Sequence, residues 1–284
     1  MSWRFEAIGT HWEIETTTPL TAGHRARVTA VIDRFDREWS RFRTESVVSA
    51  LRDGGTAVAP PDAVPMLDAY RQLSRATRGA VNPLVGGGLE AIGYDSEVTL
   101  RRGHPEPAPA QWDRMLTCTD GMLTLRGPAV IDVGALGKGR LVDLVADALR
   151  DLPGRTIVDA SGDLRIIGGS ARIALEHPYD PTSAIGVAEV NGRALCASAV
   201  NRRAWGDGLH HVLDARTGIP VRQWAATWAI ADDAMRADAV ATALFFDGGA
   251  ELADDWGADW VRMTTDGRVE RSEGFTGRLF TEAR

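Results

Sequence analysis

Apolar residues recur along this chain at two spacings. Val28, Val31, Ile32 and Phe35 follow a helical period and predict a helix from about Thr21 to Ser40. Val64, Leu67, Tyr70 and Leu73 do the same for a helix opened by Pro60-Pro61-Asp62 and stopped by Gly79. Between them, Ser46 is placed to cap a short helix carrying Val47, Val48 and Leu51, ended by Gly54-Gly55. Short β-rich runs predict strands over Trp3–Thr16 (broken at Gly9-Thr10), Met122–Leu125, Ala129–Val133, Thr156–Asp159, Arg172–Glu176, Gly186–Val190, Ala194–Ser198, Thr227–Ala231 and Asp259–Met263. Further helices are predicted over about Arg140–Leu152, Ala234–Phe246 and Ala250–Trp256. Asn82 to Gly93 looks like a Gly-rich loop, and His104 to Pro109 a Pro-rich surface connection. Many short strands interspersed with helices, without repeats, suggest α+β or mixed α/β layers, and the length allows two ordinary domains or one interwoven one. A single α+β unit of mixed sheets with packed helices over residues 1–284 is the expectation.

Composition narrows the classes. A 44% hydrophobic and 25% charged chain of 284 residues is globular and long enough for a sizeable core. Its net charge of −7 argues against nucleic acid as the main partner, since phosphate backbones demand a basic face. Cys118 and Cys196 are too few for a disulfide framework or a cysteine-ligated zinc site, and their small or apolar neighbours predict buried free thiols. No apolar run approaches the ~20 residues of a membrane span. The N-terminus lacks a leader-like run and a lipobox cysteine, so the expected location is the cytoplasm.

Three segments could carry chemistry. In Asp132-Val-Gly-Ala135-Leu-Gly-Lys138-Gly139 a strand runs into a Gly-rich turn and an amphipathic helix, a setting that favours an anion at backbone N–H groups. It is no P-loop: Asp132 stands where the first glycine belongs, and Gly139 where Ser or Thr follows the lysine. An ordinary strand–helix turn with a solvated lysine has the same pattern. Asp238 and Thr242, four apart on a predicted helix among small residues, put two oxygens on one face. That suits a hard cation such as Mg²⁺, and equally a capping aspartate beside a threonine bonded to its own helix. In His210-His211-Val212-Leu-Asp214 the two histidines alternate across a strand end, so only one can face a site and serve as a proton acceptor. The Asp159-Ala-Ser-Gly162-Asp163 turn could set backbone amides beside a ligand, and Trp205, Trp224 and Trp228 could stack on a flat ring, although packing is their default role. Ser198 lies in no nucleophile-elbow sequence.

In their order, these segments resemble the FAD:protein FMN transferase (ApbE) family. Ile8-Gly9-Thr10 resembles its Met-Gly-Thr entry, and Ser40-Arg-Phe42-Arg with Ser46 its Ser-x-Tyr-x-x-x-Ser segment. Gly79-Ala80-Val81-Asn82-Pro83, followed by Gly93-Tyr94, resembles Gly-Ala-Phe-Asp-Pro and a Trp-Gly-Phe-like stop. Asp132 to Gly139, His211-Val-Leu-Asp214 with Thr217-Gly218, and Ala237-Asp238 to Thr242 are similar to three further family motifs. The chain departs from the pattern at Ile8, at Asn82 (usually Asp), at Asp159–Asp163 in place of Gly-Gly-Asp, and at Ala197-Ser198-Ala199 in place of Thr-Ser-Gly.

The resemblance implies a T-fold-type α+β architecture that binds FAD as substrate and Mg²⁺ on its diphosphate. FMN would pass to a Ser or Thr of an acceptor protein, in a motif often found in FMN-binding domains, with AMP released. It further implies that the Ala135 carbonyl, Asp238 and Thr242 hold the metal. Asp132 and Lys138 would touch FAD, and Ile8, Phe42, Ala80, Val81, Asn82 and Val212 would line its pocket. His211 would activate the acceptor hydroxyl. FAD hydrolysis to FMN and AMP, or FAD binding without turnover, are the alternative outcomes.

Overall fold

The computed structural model describes residues 1–95, 99–100, 103–201, 204–205 and 209–280. Its central feature is an eight-stranded sheet: β1 (Ser2–Ala7), β2 (Thr10–Thr16), β3 (Thr156–Asp159), β4 (Asp163–Ile167), β5 (Ala194–Ala199), β6 (Trp224–Ala231), β7 (Asp259–Thr264) and β8 (Val269–Arg271), in that spatial order. Each pairing is antiparallel, so the order in space follows the order in the chain. The α+β expectation is met, with further small sheets beside the large one.

Alternation of side chains explains the layers. On one face, Ile14, Val158, Ala194, Cys196, Ala229 and Ala231 join a core built with the helices α1 (Ala22–Trp39), α2 (Ala63–Ala76), α3 (Gly137–Ala148) and α4 (Ala234–Ala243). Their neighbours one residue on, including Ile157, Leu195, Trp228 and Ile230, point the other way. They are covered by a three-stranded sheet of Ser170–His177, Asp180–Asn191 and Gly277–Leu279. Every residue of β6 is buried, because both of its faces are covered. Another small sheet, Gly55–Val58, Met122–Leu125 and Leu116–Thr119, packs beside α2. No helix among the described residues is long and apolar enough to cross a membrane.

Several expectations need correction. Ala129–Val133 is not a strand: Ile131 is buried, but the segment is an irregular loop held by the Asp132 N–H donating to the Pro83 carbonyl at 2.8 Å. The run Trp3–Thr16 does break near Gly9-Thr10 as expected, and its two halves pair as a hairpin. The Gly-rich loop contains a helix, Gly86–Ala91, two of whose glycines are forced by packing: a Cβ on Gly86 would lie 2.6 Å from Val130, and one on Gly88 2.6 Å from the Glu106 carbonyl. Helix α3 begins at Gly137, not Arg140, and ends at Ala148. Helix α4 ends at Ala243. Residues 103–107 are exposed as expected, but Ala108 is buried, and its N–H donates to the Ala215 carbonyl.

Helices α3 and α4 are clamped where the site lies. Asp143 on α3 accepts from the N–H groups of Ala234 (2.8 Å) and Met235 (2.9 Å), satisfying two orphan donors of α4. Burial pushes the Asp143 carboxyl from 3.8 up to about 6, against those two hydrogen bonds. A folded-state value above the unfolded one means that the folded chain keeps its proton longer. This contribution to stability is therefore full below about pH 4 and is lost as pH rises through 6. Melting curves from pH 4 to 7 should show the wild type losing on the order of 2 kcal/mol relative to Asp143→Asn over that window; parallel curves would contradict it.

Candidate active site

The loop from Asp132 to Gly139 is fastened on three sides. The Asp132 carboxylate accepts from Arg41 Nε at 2.6 Å and from the Gly134 N–H at 2.7 Å. The buried Tyr70 hydroxyl on α2 donates to the Asp132 carbonyl at 3.2 Å. Burial and the negative charge of Asp132 hold this phenol well above its usual range, so it stays a neutral donor. Arg41, with only 3% of its side chain exposed, also donates to the Tyr94 carbonyl at 2.8 Å and lies over the rings of Phe42 (4.3 Å) and Tyr94 (5.0 Å). Phe42 is 40% exposed, a large apolar ring open to a ligand.

Past this loop the chain enters α3, and here the two glycines matter. A Cβ on Gly139 would sit 2.1 Å from the Ala234 carbonyl and 2.7 Å from Asp238 Cβ, so only glycine lets α3 and α4 meet this closely. The Gly139 N–H then donates to Asp238 Oδ2 at 2.9 Å. Gly139→Ala should cost about 2–3 kcal/mol in a denaturant melt, as for overpacking a tight contact; unchanged stability would show that the two helices can separate freely.

Asp238 is buried beside a second carboxylate. Asp163, the first residue of β4, is 0% exposed, and neither of its oxygens has a hydrogen bond of good geometry. Its nearest cation is Lys138 Nζ, 3.4 Å from Oδ2. Burial raises the Asp163 carboxyl, opposed by Lys138. Burial and the facing Asp163 together push Asp238 well above the ordinary range. The Cys196 thiol donates to the Ala234 carbonyl at 3.4 Å, and burial beside these acids holds it protonated. Thr242, half-buried, follows Asp238 by one turn of α4.

These groups fit a divalent cation. Two buried carboxylates side by side, the oxygens of Asp163 among them without a well-formed hydrogen bond, are costly unless positive charge is brought to them. Asp238, the Thr242 hydroxyl and the Ala135 carbonyl are all hard oxygen donors of the kind Mg²⁺ takes. Among the described residues, no group of three His, Cys, Asp or Glu side chains forms a protein-only metal cage. Sites for Mg²⁺ commonly leave positions for phosphate and water.

The other expected site residues lie in three places. Ala80, Val81 and Asn82 are buried between the Asp132 loop and the segment after His211: the Ala80 carbonyl accepts from Ala215 N–H at 3.0 Å, and the Pro83 carbonyl from Asp132 N–H. The Asn82 side chain is spent on the fold, donating to the Pro109 carbonyl (2.9 Å) and accepting from Leu84 N–H (2.8 Å). His210 is buried, and Val212 N–H donates to its Nδ1 at 3.3 Å. The proton therefore sits on Nε2 and is given to the Val221 carbonyl at 2.8 Å. Burial lowers the pKa of His210, so this neutral ring is a strut. His211 is half-buried, and Val212 is buried behind it. Ile8 lies at the β1–β2 hairpin tip with φ +48°, followed by Gly9 at +68°. A β-branched residue there is strained, a feature typical of functional corners. Beside the hairpin, a cavity of about 460 Å³ is lined by Phe5, His11, Trp12, Glu13, Asp159 and Ser161.

Three residues with clear roles escaped the sequence reading: Arg41, Tyr70 and Asp163. Arg41 lies inside the Ser40–Arg43 segment and Asp163 at the end of the Asp159–Asp163 turn, whereas Tyr70 carries only an apolar-face signal. Gly208 and the Trp205 side chain lie outside the described residues. Trp224 and Trp228 are buried in packing. Both cysteines are free, Cys196 buried and Cys118 half-buried.

A doubly covered antiparallel sheet with a Gly-rich helix start set against paired carboxylates defines a recognisable class. The sequence profile of the ApbE family matches residues 8–259, and the chain belongs to that family. It is similar to the FAD:protein FMN transferase of Rhodobacter capsulatus, 28% identical over 97% of this chain and 57% of the relative. A second relative of that name, from Klebsiella pneumoniae (strain 342), is 30% identical over 40% of this chain and 38% of its own length. The chain thus spans little more than half the length of the first of these relatives. In fold it is similar to the ApbE protein of Thermotoga maritima (TM-score 0.83, 23% identity, 96% of this chain and 97% of that one). It also resembles the Pseudomonas stutzeri flavinyl transferase ApbE (TM-score 0.76, 21% identity, 96% and 95%).

Proposed function

We propose that this chain takes FAD as substrate and, with a divalent cation such as Mg²⁺, transfers FMN to a Ser or Thr hydroxyl of an acceptor protein, releasing AMP. The observation that carries this reading is the buried Asp163–Asp238 pair at the start of α3, with Lys138 beside it, in a chain of this family. Such a buried acidic pair is costly unless a cation comes to it, and the same site would serve FAD hydrolysis, so the acceptor decides between the two.

Asp238, the Thr242 hydroxyl and the Ala135 carbonyl would hold the cation, which supplies charge neutralisation for the diphosphate when bound. Lys138 presents an ammonium to the developing negative charge on the bridging oxygen. Arg41 and Tyr70 fix the Asp132 loop, so these groups are in place before the reaction. Phe42, Val81 and Val212 offer apolar surface to the flavin ring. Serine and threonine hydroxyls are weak nucleophiles, and His211 takes the proton as the hydroxyl oxygen bonds to the phosphorus of the FMN half. The bond from that phosphorus to the bridging oxygen breaks, and AMP leaves with this oxygen. The acceptor is expected to present its Ser or Thr in an exposed motif of an FMN-binding type of domain.

Incubation with FAD and Mg²⁺, with and without such an acceptor domain, tests the reading. Covalent flavin fluorescence on the acceptor, with AMP formed in step, is the expected result. AMP without acceptor would make the chain an FAD pyrophosphatase, and AMP in neither case an FAD-binding protein.

A further inference from the structure

Asp163 is the member of the acidic pair whose oxygens have no hydrogen bond of good geometry, although it is fully buried. Asp238 differs, since its Oδ2 is tied to the Gly139 N–H. Two positive groups have reason to approach Asp163. One is the Lys138 ammonium, 3.4 Å away on the first turn of α3. The other is the cation proposed for Asp238 and Thr242, because the Asp163 and Asp238 carboxyls are close enough to act on one another. Lys138 itself is not locked in: 26% of its side chain is exposed, and its long flexible stem can turn outward.

We propose that Asp163 is a shared positioning residue, for which the Lys138 ammonium and the divalent cation compete, so that binding the cation hands Lys138 over to the substrate's diphosphate. The inference rests on the proposed cation site and adds a residue and an order of events to it. Charge accounts for the exchange. A divalent cation brings two positive charges to two carboxylates, so the ammonium is no longer needed there and is repelled. The diphosphate is then the nearest anion to receive it. Lys138 and the cation would thereby act in sequence, and cation and diphosphate would strengthen one another's binding.

The pattern of signs in two variants separates this from a merely structural role. Mn²⁺ binding to the ligand-free protein is measured by electron paramagnetic resonance on wild type, Asp163→Asn and Lys138→Met, each checked for fold by circular dichroism. Lys138→Met removes the competitor and should tighten Mn²⁺ binding, by about tenfold for the loss of one like charge at this range. Asp163→Asn should weaken it by a similar factor. If Lys138→Met leaves Mn²⁺ binding unchanged or weakens it, the competition is disproved. If Asp163→Asn binds Mn²⁺ like the wild type, Asp163 is no part of the site. A wild type that binds no Mn²⁺ overturns the proposal as well. Flavin transfer and AMP release by the wild type are scored separately, so the activity can stand when this exchange fails.

Discussion

Asp238→Asn should release no AMP from FAD and yet melt at a higher temperature than the wild type in the presence of a chelator. The two effects have one cause. Asp238 is buried, faces Asp163, and is held well above the ordinary carboxylate range by burial and that neighbour. Exchanging it for a neutral amide removes a like-charge contact from a low-dielectric setting. Asparagine still accepts the Gly139 N–H now bonded at 2.9 Å, and its amide N–H can donate to an Asp163 oxygen that has no hydrogen bond. A gain of about 1 kcal/mol would show as roughly 2–4 °C in a chain of this size. Removing the carboxylate also removes the cation ligand proposed on α4, and with it the charge neutralisation that breaking the diphosphate would draw on. Asp238→Ala should be equally inactive but less stable than Asp238→Asn by about 1–3 kcal/mol, because the buried Gly139 N–H loses its acceptor. AMP release by Asp238→Asn at the wild-type rate would remove Asp238 from the reaction. A lower melting temperature would mean that the acidic pair is no stability cost.

How much of this could be seen beforehand follows from which forces are local. Helix faces were largely legible: Val28, Ile32 and Phe35 are buried on α1, and Leu67, Tyr70 and Leu73 on α2, because their spacing sets which side meets the core, whereas Val64, in the first turn of α2, is exposed. Asp238 and Thr242 share a helix for the same reason. The start of α3 was obscured, since Gly137 and Gly139 look like a turn, and the reason for Gly139 lies on α4, at the Ala234 carbonyl. The run Ala129–Val133 carries the apolar composition of a strand, but no neighbouring strand is there to pair with it, and Asp132 is instead tied to Arg41 and Gly134. Asp163 shows the limit most plainly. Nothing near it in sequence says that the order of strands places β4 beside β5, which lies against α4, and so buries Asp163 against an aspartate 75 residues away. Long-range pairing by topology leaves no local pattern.

The adjacent histidines should divide cleanly between structure and chemistry. His211→Ala should slow flavin transfer by about 10²–10⁴, the usual range for losing a general base, while FAD and Mg²⁺ binding stay near wild type. His210→Ala should keep the machinery for transfer but lower stability. The structural basis is already visible in the ring of His210: its Nδ1 accepts from Val212 N–H and its Nε2 meets the Val221 carbonyl at 2.8 Å, so both nitrogens are occupied by backbone. Losing that ring leaves a buried N–H and carbonyl without partners and a cavity beside Val212, a cost of about 1–3 kcal/mol for the polar groups alone. Some slowing could follow from a displaced Val212, so transfer is compared after each variant is saturated with FAD. His210→Phe keeps the ring volume and separates packing from hydrogen bonding, and it should transfer faster than His211→Ala. His211, half-buried, is the residue just past the end of the Leu209–His210 strand. Should His210→Ala be the variant that loses transfer at saturating FAD, with His211→Ala active, the register at this strand end would be the reverse of the one proposed. Should neither lose it, the hydroxyl proton must go elsewhere, and an aspartate of the proposed cation site, Asp163 first, becomes the acceptor to test by the same two measurements.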